Sequence, residues 1–139
     1  MDIEHPIVEM KNELQKLLDS KFRYFNKKYD DLKVSGVYVI YDGEKIIYIG
    51  EGDNVYRRIY RDHLDEDGAL INKIGWTYRL ENSSARRYLI KNCKFQVLKT
   101  KFRVRLEHFA IGVINPVYND GSKHKANDKE GAKEHDPRP

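Results

Sequence analysis

Cysteine is almost missing from this sequence. Cys93 stands alone among 139 residues, so no internal disulfide can form and no multi-cysteine zinc cage can be built. A reduced, intracellular setting follows as the simplest expectation, with a cytoplasmic location. Cys93 has no activating neighbour in the sequence and reads as a small apolar filler. Long apolar runs are missing too: the longest span only a few residues. That argues against a membrane-crossing helix, and no membrane partner is expected. The opening Met1-Asp2-Ile3-Glu4-His5 has neither the basic nor the apolar region of a signal peptide. No internal repeat is present. The length suits one domain that buries roughly two-thirds of its unfolded surface without staples.

Charge is abundant and unevenly spread. The net balance is only +4. Between Arg79 and Arg105, however, nine basic residues face one acid, Glu81, a local balance of 9 − 1 = +8. From Asp42 to Asp67 the sign reverses, with eight acids against four bases. Such asymmetry fits a basic surface for a polyanion; the alternative is a solvated face with no partner.

The chain divides into three parts. Residues 1–33 hold an amphipathic helix expected to pack on the core. Pro6 suits a first helical position, and Ile7, Met10, Leu14, Leu17, Leu18, Phe22 and Phe25 form one stripe, predicting helix over 6–28. Residues 34–120 carry the main domain. Residues 121–139 lack any large apolar side chain and read as a disordered polar tail. Within the main domain, SGVYVIY and KIIYI flank Asp42-Gly43-Glu44, which predicts a hairpin. Gly50 and Gly52 should break its second strand. Asp53 or Asn54 should cap a helix over about 55–63. Residues 64–82 are ambiguous: a helical turn near 69–74 and a strand near 76–80 are expected. Ser83 or Ser84 should cap a helix through Lys91, Phe95 to Leu98 should form the third strand, and residues 101–114 a helix stopped by Asn115-Pro116. The expected class is α+β, a small mainly antiparallel three-stranded sheet flanked by helices.

Chemistry concentrates in a few positions. Gly36-Val37-Tyr38 and Tyr48-Ile49-Gly50 lie on the two hairpin strands. Arg58 follows Gly50 by eight residues, Glu107 lies among apolar helix positions, and Asn119 closes Asn115-Pro116-Val117-Tyr118-Asn119. These five features, in this order, resemble the GIY-YIG nucleases, with Val37 in place of the usual Ile. The resemblance covers about residues 34–120. It implies a GIY-YIG-like fold and a metal-dependent endonuclease acting on a nucleic-acid phosphodiester, most simply DNA, with Mg²⁺ or Mn²⁺ as cofactor. It further implies catalytic roles for Tyr38, Tyr48, Arg58, His63, Glu107 and Asn119, with Glu107 as the metal ligand. A homodimer or protein partner would serve double-strand cutting. Relatives that carry a separate DNA-reading domain are longer, so a stand-alone or partner-dependent enzyme is expected.

Physical chemistry supports each role. A phosphodiester repels hydroxide, so cutting it needs a base, charge neutralisation and help for the leaving oxygen. Glu107 is a hard oxygen donor suited to Mg²⁺. Arg58 presents a permanently charged fork to phosphate oxygens. Tyr38 is the general base the resemblance implies, although a free tyrosine titrates near 10 and needs a nearby cation. Tyr48 would orient water or phosphate, and the Asn119 amide would position the site. The plainer readings are packed strand tyrosines, a surface arginine, and a Glu107 ion-paired with a nearby arginine. Nucleic-acid contacts are expected from Arg57, Arg61, Arg86, Arg87, Lys99, Lys101 and Arg103.

One position departs from the family pattern. Asp62, not a His or Tyr, stands four residues after Arg58, and His63 follows it. On an α-helix, four residues rotate a side chain by about 40° and five by about 140°. A regular helix would point His63 away from Arg58, whereas a loosened one would let it reach. The competing functions are a nucleic-acid-binding module of the same fold without catalysis, and a protein-binding domain.

Overall fold

Seven consecutive residues of SGVYVIYD, Gly36–Asp42, form strand β2, and Lys45–Gly52 form strand β3. Asp42 pairs with Lys45, leaving Gly43-Glu44 as a two-residue turn. Gly43 has φ of 61° at the first turn position, where a type II′ hairpin favours glycine. The computed structural model describes residues 4–119; the expected polar tail over 121–139 lies outside them. The class is α+β as expected, but the antiparallel sheet has four strands, ordered β1-β4-β2-β3.

The fourth strand comes from a segment expected to be helical. Helix α1 covers Glu4–Asp19, and Arg23–Tyr24 form the short strand β1 beside Phe95 and Lys94. Beyond Asp19 the chain is held by Gln96, which satisfies one carbonyl of the last turn and one just past it. The buried Gln96 amide donates to Leu18 O at 2.9 Å and Ser20 O at 2.7 Å, and its oxygen accepts from the Tyr41 hydroxyl at 2.6 Å. Arg23 then grips Asp31 through two hydrogen bonds of 2.9 and 2.7 Å. Phe25 reaches the core from the loop, not from the helical stripe, while Phe22 is exposed and edges onto Tyr41.

The remaining helices are α2 (Val55–Arg57), α3 (Ala69–Tyr78), α4 (Asn82–Asn92) and α5 (Arg103–Ile114); strand β4 is Cys93–Lys99. The strand expected near 76–80 is therefore the end of α3. That helix ends at Arg79, which takes a left-handed φ of 58°. Ser83 and Ser84 lie inside the first turn of α4, with Glu81 at its cap. Asn115 closes α5 with φ of 54°.

Alternation along β2 sends side chains to two cores. Tyr38 and Ile40 join Phe95, Ile59, Ile71, Ile74 and Leu89 on the α2–α4 face. Val37, Val39 and Tyr41 join Ile49, Leu106, Leu17 and Leu14 on the α1/α5 face. Being buried on both faces explains why β2 is continuously apolar. A bulge at Ile40/Tyr41 shifts the pairing so that Ile47 faces the α2–α4 core while Ile49 faces the other.

Gln96→Leu should lower unfolding free energy by about 1–3 kcal/mol, because the partly buried carbonyls of Leu18 and Ser20 lose their donor and the buried Tyr41 hydroxyl loses its acceptor. Urea denaturation checks this, and an unchanged midpoint would remove Gln96 as the clamp at the end of α1.

Candidate active site

Gly50 and Gly52 do not break β3; the strand runs through both. They form a bare strip along one face. A Cβ on Gly50 would sit 2.3 Å from the Tyr38 hydroxyl, and one on Gly52 would sit 2.8 Å from Arg58 Cγ. Only glycine lets the Tyr38 ring and the Arg58 stem lie this close to the strand. The alternating glycines were visible in the sequence, but their spacing of two signals a strand face and not a break.

After β3, the Asn54 side chain accepts from Arg57 N at 3.1 Å and caps α2. The helix then widens. Residues Arg58–Asp62 form a π-helical turn, closed by a 3.0 Å bond from His63 N to Arg58 O. Such turns insert one residue and recur at functional sites. Here the widened turn answers the question of His63. Asp62, the i+4 residue, pairs with Arg58 Nη1 at 3.0 Å. His63 turns inward, 5% exposed, and its Nε2 lies 2.5 Å from the Tyr38 hydroxyl.

The rings pack as a cluster. His63 meets Tyr38 at 5.4 Å and Tyr48 at 5.2 Å, both edge-on, and Tyr38 lies 6.2 Å from Tyr48. The Tyr48 hydroxyl is 3.5 Å from Arg58 Nη2. Tyr48, Arg58, Asp62 and His63 line one side of a cleft of about 260 Å³, with Lys73 and the start of α3 on the other. Tyr38 is fully buried behind them.

Electrostatics follow from this burial. Desolvation pushes the Tyr38 hydroxyl well above its ordinary range, helped by Tyr48 and opposed by Arg58. Tyr48 is raised for the same first reason, again opposed by Arg58. Burial works against the Arg58 charge, but Tyr38, Asp62 and Tyr48 outweigh it and its pKa is raised. His63 is driven down to about 3 by burial and then by Arg58, so its imidazole is neutral.

Glu107 approaches from α5. Its side chain is 19% exposed, and its one ion-pair contact among the described residues is His108 Nε2, at 3.8 Å. The expected alternative, a pairing with a neighbouring arginine, is not what α5 does: Arg103 pairs with Glu51, and Arg105 with Glu9 at 3.6 Å. Burial and then the Glu51 charge raise the Glu107 pKa, while His108 and Arg58 oppose them. Asn119 bonds the β3 backbone twice, accepting from Ile49 N at 2.8 Å and donating to Ile49 O at 2.7 Å. It positions β3 and does not face the cleft lining.

The expected nucleic-acid contacts scatter. Arg57 and Arg61 are exposed on the turn that carries Arg58, with Arg61 Nε 3.0 Å from Asp62. Lys99 and Lys101 are exposed beside a separate shallow groove. On α4, Arg86 holds Leu64 O at 2.9 Å and Arg87 bonds Ser84 Oγ at 2.9 Å. Glu51 and Lys73 are not picked out from the sequence, and Asp62 stands there only as a departure from the family pattern. Lys73 sits among the apolar residues of α3 and donates to Tyr118 O at 2.9 Å; only the fold brings it to the cleft.

No family model, curated protein or solved structure matches this chain. The site's meaning therefore rests on its own geometry and on the motif.

His63 makes a pH prediction. In the unfolded chain it gains a proton below about 6.5; folded, it resists until about 3. A depressed histidine pKa makes the folded state lose stability as pH falls through that window. The unfolding free energy of the parent relative to His63→Gln should be constant above pH 7 and shrink on acidification. A difference that stays flat from pH 7 to 4.5 would show that His63 is not held neutral.

Proposed function

We propose that this chain is a GIY-YIG-type endonuclease that hydrolyses nucleic-acid phosphodiester bonds, DNA first among them, with a divalent ion. The observation that carries the reading is the chain of polar groups running from the cleft inward: Arg58, Tyr48, Tyr38 and His63. Three residues of the motif and His63, one position past the family's place, form one contiguous array, and Glu107 lies within electrostatic range of Tyr38, Tyr48 and Arg58.

In this reading a backbone phosphate enters the cleft and meets the Arg58 fork. Asp62 occupies Nη1, so Nη2 beside the Tyr48 hydroxyl is the arm that turns to the phosphate. Tyr48 orients the attacking water. Neutral His63 accepts the Tyr38 proton through Nε2, which leaves the Tyr38 oxygen to accept from the Tyr48 side. As the water attacks phosphorus, its proton passes to the Tyr48 oxygen, Tyr48 gives its own to Tyr38, and Tyr38 gives its own to His63; the bond from phosphorus to the leaving oxygen breaks, and that oxygen takes a proton from water in the open cleft. Arg58 offsets the charge that grows on the pentavalent phosphorus.

The donor set fits Mg²⁺ or Mn²⁺. Glu107 is a half-buried carboxylate with no hydrogen bond to another described residue, and Glu51 lies nearby. Among the described residues no three His, Cys, Asp or Glu side chains gather as a cage. One or two carboxylates with water completing the shell is how Mg²⁺ is commonly held. When bound, the ion supplies positive charge and acidifies water. Two observations favour the second reading, a binding module without catalysis: Asp62 pairs with Arg58, and Tyr38 is sealed from the cleft.

Labelled linear, branched and single-stranded DNA, and RNA, incubated with and without Mg²⁺ separate the two. Cleavage should need Mg²⁺ and vanish in Glu107→Gln. Arg58→Ala should lose about 10²-fold or more in rate while keeping its metal affinity. Binding without cutting on every substrate would leave the second reading in place.

A further inference from the structure

Arg103 and Glu107 stand one helical turn apart on α5, at i and i+4, and so share a face of that helix. Glu51 of β3 receives Arg103 as its ion-pair partner. It lies between Gly50 and Gly52 in the strand and, by alternation, faces away from their bare strip, towards the side of the sheet on which α5 packs. Both members of the pair are largely covered, with side chains 33% and 24% exposed. Two carboxylates thus flank Arg103 at the junction of α5 and β3: one neutralised by its guanidinium, the other one turn along the helix with no hydrogen-bonding partner among the described residues.

We propose that Glu51 is the second carboxylate of the divalent-cation seat at Glu107, and that Arg103 is a latch that occupies Glu51 until the cation displaces it. The inference rests on the metal reading given above. Electrostatics gives the latch its sense. With Arg103 in place the trio Glu51, Glu107 and Arg103 carries −1; with the guanidinium swung away, the pair carries −2. An arginine beside a vacant carboxylate pair relieves their repulsion, and the cation must outcompete it. Arg103, once released, is a free guanidinium one turn from the site and is able to take a phosphate. Cation loading and nucleic-acid binding would then favour each other. This also reconciles the expected nucleic-acid role of Arg103 with its engagement to Glu51.

Binding of Mn²⁺ alone, counted from the free-ion spin-resonance signal and by calorimetry, tests the proposal without any cleavage assay. The parent, Glu51→Gln, Glu107→Gln, Arg103→Gln and Arg103→Lys are compared, with thermal melting to show that each is folded. Glu107→Gln should abolish uptake. Glu51→Gln should weaken it by about 10-fold. Arg103→Gln should tighten it by about threefold or more, since the charge count of the seat sets its affinity. Arg103→Lys keeps a cation on Glu51 and should stay near the parent. Uptake by Arg103→Gln where the parent takes up none would also support the latch. Glu51→Gln at parent affinity overturns the second ligand, and Arg103→Gln at or below parent affinity overturns the latch. In both cases loss of uptake in Glu107→Gln leaves the metal reading standing. No uptake by either the parent or Arg103→Gln overturns the metal reading and the latch together.

Discussion

A single backbone hydrogen bond, His63 N–H to the Arg58 carbonyl at 3.0 Å, organises the candidate site. It closes a five-residue step where an α-helix would close one of four. With the narrower step, Asp62 would hold the inward position and His63 would face solvent. With the wider step, the carboxylate stays beside the guanidinium and the imidazole turns onto Tyr38. The extra residue costs helical regularity, and the neighbouring contacts offset that cost: Ile59 inside the turn is fully buried in the α2–α4 core, and Asn54 fixes the entry.

The rest of the site depends on rigid support. Tyr38 and Tyr48 come from paired strands, and Glu107 comes from a helix whose Leu106 and Ala110 are buried against the opposite face of the sheet. Groups on strands and helices hold their geometry better than groups on loops. The polar array is expensive to bury, since it carries a neutral histidine and two tyrosines whose ionised forms are strongly disfavoured. Two apolar clusters, one on each sheet face, supply the stabilisation that offsets it.

Much of this was legible in the sequence, and the misses have physical causes. The hairpin stood out because alternating Val, Ile and Tyr flank an Asp-Gly turn, and helix α5 because its apolar positions precede Asn115-Pro116. The first helix read too long because Phe22 and Phe25 continue its periodicity. A side chain 76 to 78 residues away, Gln96, captures its end, and no local pattern announces that. Gly50 and Gly52 read as breakers because glycine usually weakens strands; their real reason is the pair of side chains laid over them, which only the fold reveals. For His63, the sequence posed a choice between a regular and a loosened turn without deciding it. The Glu51–Arg103 pair joins residues 52 apart and left no local trace.

Asn119 has a consequence beyond holding Ile49 in place. Strand β3 lies at the border of the sheet, with β2 on only one side. A strand so placed offers a row of unsatisfied amides and carbonyls to any other extended chain, which is how sheets grow from molecule to molecule. The Asn119 side chain has the donor and acceptor of a peptide unit, and it satisfies both backbone groups of Ile49. It acts as a one-residue counterfeit strand, occupying the point where a second chain would otherwise begin to zip. The same amide that steadies the floor of the site thereby guards the molecule against edge-to-edge aggregation.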